Sequence, residues 1–569
     1  MNHFRWHLLP SIPAKHPINT SGYSPIISQL LYNRGLTEPS KIKLFITADK
    51  RLAGNPLLLP DTHQAVARIY QALLSGEKIG IYGDFDVDGI TGTALLVKGL
   101  TTLGGKTIPY IPHRIREGHG LNTTAINALQ RQGVSLIITV DCGITGLSAA
   151  ETAKQKGLDL IITDHHTPLD ELPSAIAVVN PKRIDSDYPH SELAGVGVAF
   201  KLLEALYQGM GKEELLDEML DLVALGTVAD MMPLVGENRY LVKQGLKLLN
   251  TVPRLGIREL TTLNKLNSGG LSSESISWVL GPCLNAAGRL EHAMASYRLL
   301  MTDSPDEARK LASWLEEKNT ERRKLTTVAL GKAREQILDK GVAPLLIVSD
   351  KDYPAGILGL IAGKLANEFY CPSIVIKIGE QFSTASCRSI PEFNIILAIN
   401  TCRSFLSRFG GHSQAAGFTL PTKNLPRLSE RLSDLAAVQL AGLELRPRLN
   451  IDAEVSLSAL SGNTFGSIQQ LAPFGQGNPL PTFLSHQVKV ANCRLMGNNG
   501  AHLRLKLEQD TTTWDAVAFG SGNYLNEVHL AIDIVYNLEL NQWHGQKRLR
   551  LNVLDFAPSD QTMNNQDSI

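Results

Sequence analysis

The stretch GDFDVDGIT, Gly83 to Thr91, sets carboxylates at Asp84, Asp86 and Asp88 directly after the apolar run IGIY. Like charges at alternate positions repel unless solvent, a basic side chain or metal ions offset them. Three more segments carry acids or imidazoles. Asp141 follows SLIITV, Asp164-His165-His166 follow LDLIIT, and Asp230 ends ALGTVAD. Ligands of open α/β sheets gather at the carboxyl ends of the strands, and three strand-like runs here end in acids. Oxygen donors suit Mg²⁺ or Mn²⁺, and imidazole shifts the preference towards Mn²⁺ or a later transition metal. A bridging carboxylate can hold two such ions roughly 3.5–4 Å apart, the geometry for in-line attack on phosphorus.

Each residue also has a plainer reading. A lone Asp after a strand is usually a turn former or a helix N-cap. Asp88-Gly89 alone can be a turn, a His pair is more often surface or core than ligand, and Cys142 beside Asp141 reads as a small packed residue. The metal reading rests on the conjunction, because the plainer readings must hold independently at three strand ends.

The elements that would position these residues alternate between β and α. KIGIYG, TIPYI, SLIITV, LDLIIT and AIAVVN read as short strands, separated by helical stretches such as ITGTALLVKGLTTL. That alternation predicts a parallel sheet covered by helices on both faces. The expected architecture is an amino-terminal segment (1–60) wrapped around the main body, an α/β catalytic domain (61–303) and a long connecting helix (304–340). A smaller α/β domain (341–445), a β-barrel (446–557) and a disordered tail (558–569) complete it. The barrel follows from alternating runs such as HLRLKLEQ and KRLRLNVLDF.

DFDVDG, VDCG, TDHH and GTVADMMPL resemble the four successive motifs of the DHH phosphoesterase superfamily, and more narrowly those of its RecJ single-strand-specific exonucleases. IPHRIREGHGLN, GPCLNAAGRL, SCRS, FGGHSQAAGF and APFGQGNPLPTF extend the likeness over nearly the whole chain. The resemblance implies a DHH domain, a substrate-binding DHHA1 domain and an OB-fold. It implies metal ligation by Asp84, Asp86, Asp88, Asp141, His165, His166 and Asp230, with Asp164 orienting a histidine. Many smaller superfamily members begin the first motif with a His, where this chain has Tyr82. By the same likeness Arg114, Asn285 and Arg289 (NAAGR), Ser386 and Arg388 (SCRS), and Gly410, Gly411 and His412 hold substrate. Arginine forks suit phosphate oxygens, and paired glycines let a backbone approach them. In the barrel, Trp543, Lys547, Arg548 and Arg550 combine stacking with positive charge, the recipe for single-strand binding. Packing of Trp543 inside the barrel is the plainer alternative.

The totals set bounds. Formal net charge is zero, so any polyanion must be held by local basic patches rather than a global field. No apolar run approaches the roughly 18–20 residues of a membrane span, and the start lacks a secretory signal, so cytoplasm is the default. Six scattered cysteines without a C-x-x-C pair read as free, mostly buried thiols.

The residues alone support a two-metal phosphodiester hydrolase. The resemblance implies more: a 5′→3′ exonuclease on single-stranded DNA, releasing 5′ mononucleotides in recombination and repair with Mn²⁺ or Mg²⁺. It also implies a single-strand-binding protein and a helicase as partners, with a monomer as default. The rivals are a phosphodiesterase of short oligonucleotides or cyclic dinucleotides, which the barrel argues against, and a non-catalytic scaffold, which the intact acids argue against.

Overall fold

The computed structural model describes residues 4–20, 22–543 and 546–559, and the chain divides into two compact units. The larger takes residues 49–445 and 475–477. Its first sheet is wholly parallel, in the order β2-β1-β3-β4-β5: β1 is Lys78–Gly83, β2 Lys106–Tyr110, β3 Val134–Val140, β4 Asp159–Thr163 and β5 Ala177–Val179. Side chains of a strand alternate between faces, and here both faces are apolar. Leu136, Ile138 and Val140 of β3 join the core beneath α1 (Val87–Thr102), α2 (Gly195–Gln208) and α3 (Leu220–Ala229), whereas Ile137 joins the core on the opposite face. The helices on both faces expected from the alternation are present.

The second sheet is mixed, ordered β9-β10-β8-β7-β6, with β6 Leu346–Asp350, β7 Ser373–Lys377, β8 Phe382–Arg388, β9 Arg408–Gly411 and β10 Ala415–Pro421. α4 (Gly281–Leu290) belongs to the first lobe, and α6 (Leu358–Phe369) to the second. Between them runs α5, Pro305–Lys340, capped by Ser304, whose hydroxyl accepts from the Glu307 N–H at 3.4 Å. Ala312 and Leu315 of α5 pack into the first lobe's core, and Ala329, Leu330, Ala333 and Ile337 into the second lobe's. One helix thus shares two cores, which ties the lobes to a common axis.

The smaller unit contains a barrel of β11 (Phe483–Met496), β12 (His502–Gln509), β13 (Thr512–Ala518), β14 (Ala531–Trp543) and β15 (Gln546–Pro558). Pairing of β11 with β14 closes it. The amino-terminal segment, expected to wrap the main body, packs here instead. Arg5–Leu8 pairs in parallel with Arg448–Ile451, and Ile18, Ile27, Leu30, Leu31 and Ile42 enter the barrel's core cluster. Their apolar stripe finds its burial against the barrel end. Of the expected tail, Pro558 ends β15 and the Ser559 hydroxyl donates to Asp533 Oδ1 at 2.5 Å; residues 560–569 lie outside the described part. Five of the six free thiols are buried and Cys493 is half-buried. Among the described residues no helix is long and apolar enough to cross a membrane.

Candidate active site

β1, β3 and β4 are adjacent and parallel, so the residues that follow them emerge side by side at one sheet edge. Asp84, Asp141 and Asp164 are those residues, and Asp230 arrives as the C-cap of α3. His165 Nε2 lies 3.0 Å from Asp141 Oδ1, 3.6 Å from Asp230 Oδ2 and 3.8 Å from Asp88 Oδ2. Three groups of donor atoms each fit within 4.8 Å: Asp141, His165 and His166; Asp88, His165 and Asp230; Asp84, Asp86 and Asp141. All seven expected ligands therefore converge.

Two helix amino termini help hold the acids. Asp86 caps α1, its Oδ1 accepting from Gly89 N–H at 3.2 Å. Asp88 accepts from the first amides of α2, Gly195 N–H at 2.6 Å and Val196 N–H at 2.7 Å. Amide donors at helix starts favour negative charge, but they do not neutralise this one. Burial first and Asp86 second push the Asp88 carboxyl up to about 7. Burial, then Asp88, raises Asp230 to about 8 and Asp141 well above the carboxylate range. Asp141 also holds a left-handed backbone, φ 59°, which an L-residue other than Asn or Asp rarely adopts.

No Lys or Arg nitrogen lies within 4.0 Å of Asp84, Asp86, Asp88, Asp141, Asp164 or Asp230 among the described residues; the imidazoles of His119, His165 and His166 are the rings within that distance. Asp84 Oδ1, Asp141 Oδ1 and both ring nitrogens of His165 are buried without a hydrogen bond. Each unmade bond of that kind costs about 1–3 kcal/mol. Burial lowers His165 to about 4, so its ring is a neutral donor. A neutral imidazole among crowded carboxylates with unspent lone pairs is a donor set for divalent cations, not for a basic side chain.

Asp164 stands apart. Burial alone would raise its carboxyl, but the hydrogen bond from His166 and several amides hold it below the usual range. Its oxygens accept from Ile144, His165 and His166 N–H groups, and Oδ1 lies 2.8 Å from His166 Nδ1. Burial lowers His166, but the same bond together with the charges of Asp164, Asp230 and Asp86 outweighs it and lifts the ring to about 9. Tyr82 does not enter the acid cluster. It is fully buried, stacks on Tyr110 at 5.5 Å and donates to the Gly120 carbonyl at 2.8 Å. An imidazole reaches this corner from elsewhere: His119 Nδ1 lies 3.4 Å from Asp84 Oδ2. His119 lies inside the quoted IPHRIREGHGLN, but a loop residue gives no periodic signal of where it lands.

Beside the acids lies a set of half-buried arginines. Arg114 rests over the Phe85 ring at 4.8 Å, and Arg289 Nη1 donates to the Gly356 carbonyl at 3.3 Å. Asn285 precedes Arg289 by one turn of α4. Burial, followed by Arg114, Arg322 and Arg388, lowers Arg289 to about 9. Ser386 and Arg388 sit on β8 over the first turn of α6, where a Cβ on Gly359 would lie 3.1 Å from Ser386 Oγ and 3.2 Å from Arg388 Nη2. Gly359, which no motif singled out, leaves that helix start open.

Gly410 and Gly411 lie on the exposed edge strand β9, and His412 N–H donates to the Ala415 carbonyl at 2.7 Å in the turn that follows. In the other unit, Arg550 bonds to Glu539 at 3.0 Å and lies 5.6 Å from the Phe519 ring centroid. Arg548 is exposed on the same strand, and the side chains of Trp543 and Lys547 lie outside the described part.

Three family models match the chain: the DHH family N-terminal domain over residues 78–227, the DHHA1 domain over 342–437 and the RecJ OB domain over 451–555. The single-stranded-DNA-specific exonuclease RecJ of Bacillus subtilis is 37% identical over 94% of this chain and 68% of its own length. That of Escherichia coli is 30% identical over 96% and 97%. Crystal structures of RecJ from Thermus thermophilus share the fold. The Mn²⁺ complex superposes with a TM-score of 0.85 at 28% identity, covering 98% of this chain and 80% of that one. The Mg²⁺ complex gives 0.79 at 26%, covering 98% and 79%.

Proposed function

The chain belongs to the RecJ family of single-stranded-DNA-specific exonucleases, and we propose that it digests single-stranded DNA from the 5′ end, releasing 5′ mononucleotides by metal-dependent phosphodiester hydrolysis. One observation carries this reading: among the described residues, acids without a Lys or Arg partner stand beside half-buried arginines without a carboxylate partner. A phosphodiester accompanied by divalent cations satisfies both sets at once.

Asp84, Asp86, Asp88, Asp141, His165, His166 and Asp230 would hold two ions, Mn²⁺ or Mg²⁺, the metals of the two Thermus RecJ crystal structures. Bound there, such ions supply Lewis-acid activation of water and neutralise charge gathering at phosphorus. Asp164 fixes the His166 ring through Nδ1 and leaves Nε2 as its free nitrogen. Ser386, Arg388 and the open start of α6 cradle the terminal 5′ phosphate, with Arg114 alongside. A cradle for the chain end next to the acids makes the product one nucleotide long.

Selectivity for one strand follows from how the two lobes of the larger unit meet. Arg289 of the first bonds Gly356 of the second, and Arg408 Nη1 comes within 3.8 Å of the Cβ position of Gly118. A duplex would have to part these contacts; a single strand threads between them. The matched RecJ OB domain favours long strands over dinucleotides. The reading takes the protein as a monomer, with a single-strand-binding protein and a helicase as suppliers of such ends. End-labelled single and double strands, incubated with Mn²⁺, Mg²⁺ or chelator, test the reading. Mononucleotides from the single strand alone, lost with chelator, are expected. Internal fragments, or equal digestion of duplex, would overturn it.

A further inference from the structure

The motif APFGQGNPLPTF, residues 472–483, contains no acid, imidazole or arginine. What it supplies is backbone. Its residues 475–477 belong to the larger unit, with the catalytic sheet. The Gln476 carbonyl accepts the Leu234 N–H at 2.7 Å. The glycines on either side permit that approach. A Cβ on Gly475 would lie 2.8 Å from Leu234 Cδ1, and one on Gly477, whose φ is 73°, would lie 3.0 Å from Pro233 Cβ.

The same peptide bond is held from its other end. The Pro233 carbonyl accepts from Asn238 Nδ2 at 3.1 Å, so the Pro233–Leu234 peptide is gripped through both its C=O and its N–H. Asn238, in the first turn of the helix Gly236–Thr251, also donates to the Glu192 carbonyl at 2.5 Å. It is buried, and its Oδ1 makes no hydrogen bond. A buried acceptor left unpaired is unfavourable, so the side chain is set for donation and not for its own full satisfaction.

Metal-site acids stand at both ends of this arrangement. Asp230 lies three residues before Pro233, and Gly195, whose N–H holds Asp88 at 2.6 Å, lies three residues after Glu192. Asp88, His165 and Asp230 form one donor group, and Asp230 belongs to neither of the other two.

The Asp230 turn needs such support. Asp230 caps α3, and Met231 after it has φ 58°, a left-handed backbone that glycine usually supplies at a helix end. The Met231 side chain is 71% exposed, so burial does not offset that strain. Carboxylate oxygens of Asp88 and Asp230 within 4.8 Å of each other also repel. Bonds from Met231 N–H to Val228 and from Met232 N–H to Thr227 tie the turn to α3 itself. The gripped peptide ties it to the rest of the lobe.

We propose that Asn238 and the Gly475–Gly477 strap are positioning elements for Asp230, and through it for the ion that Asp88, His165 and Asp230 would hold. This rests on the two-metal reading of the acid cluster.

Calorimetric titration of the full chain with Mn²⁺, in the absence of DNA, tests it. Wild type should bind two ions. In N238A and in G477A one ion should bind as in wild type and the other about tenfold or more weaker, the usual effect of losing a residue that orients a ligand. The two variants act on opposite ends of one peptide, so either alone reports on it. At limiting Mn²⁺, kcat on a single strand should fall with KM retained, and excess Mn²⁺ should restore it. M231G, which removes the left-handed strain, should recover part of the affinity lost in G477A. A lowered melting temperature with both Mn²⁺ affinities intact, or equal weakening of both ions, would reduce these residues to parts of the fold and overturn the proposal. Wild-type protein that binds no Mn²⁺ overturns the two-metal reading instead.

Discussion

Gly195 and Asp141 are packed so closely that a Cβ built on the glycine would lie 2.4 Å from Asp141 Cβ and 2.8 Å from its Cα. The same glycine's N–H holds Asp88 at 2.6 Å, so one backbone position registers an acid in the first turn of α1 and an acid that follows β3. Overpacking at such a contact typically costs about 1–3 kcal/mol. Gly195→Ala should displace both acids, lowering hydrolysis by at least about a hundredfold, the penalty that a shift of about 1 Å can carry. Single-strand binding should persist. Nuclease and filter-binding assays on the same preparation check this; near wild-type turnover would show that the acids tolerate the shift.

Asp141 belongs to two of the three donor groups, and its Oδ1 is a buried atom without a hydrogen bond. Asp141→Ala should abolish hydrolysis and spare most strand binding. It should also act on the protein without substrate. A ligand bound only by the native state at a hundred times its dissociation constant stabilises by about 2.7 kcal/mol, so Mn²⁺ should raise the melting temperature of wild type and much less that of the variant. Equal Mn²⁺ shifts in both proteins would remove Asp141 from the metal site.

The acids were legible in the sequence because strand ends are legible. Apolar runs of five to seven residues mark the strands, and whatever follows them lies at the ligand edge of a parallel sheet. What escaped depends on tertiary neighbours. His119 reaches Asp84 from a loop, and Gly195 and Gly359 matter for the space they leave. Placing residues 4–48 with the barrel also needed coordinates, since an amphipathic stripe states that it is buried and not against what.

The cradle around Arg388 makes a prediction about chain ends. Ser386 Oγ and Arg388 Nη2 lie 3.1 and 3.2 Å from the Cβ position of Gly359, so an alanine there would intrude on both. Arg388→Ala and Gly359→Ala should each reduce kcat/KM on 5′-phosphorylated ends more than on 5′-hydroxyl ends, by about tenfold, as expected for one charged hydrogen bond. Competition between the two kinds of end in one reaction measures this directly. Equal losses on both would assign these residues to the fold rather than to the terminal phosphate.

At the opposite edge of the same sheet an ion-pair cluster predicts a pH effect. Arg68 bonds Glu77 at 2.6 Å and Asp159 at 2.6 Å, and the Ser135 hydroxyl donates to Glu77 at 2.5 Å, joining residues at the starts of β1, β3 and β4. The Arg68 hydrogen bond first, and Ser135 second, hold the Glu77 carboxyl below its ordinary value. A depressed carboxyl adds stability that is complete above its unfolded pKa, about 4.3, and is lost as pH falls through the lower folded value. Glu77→Gln should therefore lower the melting temperature at pH 7, by an amount corresponding to about 1 kcal/mol for a partly buried pair. The gap between variant and wild type should narrow below about pH 4. Melting curves at pH 7, 5 and 3.5 decide it, and a gap that stays constant through pH 3.5 would mean that packing, not charge, ties these strands together.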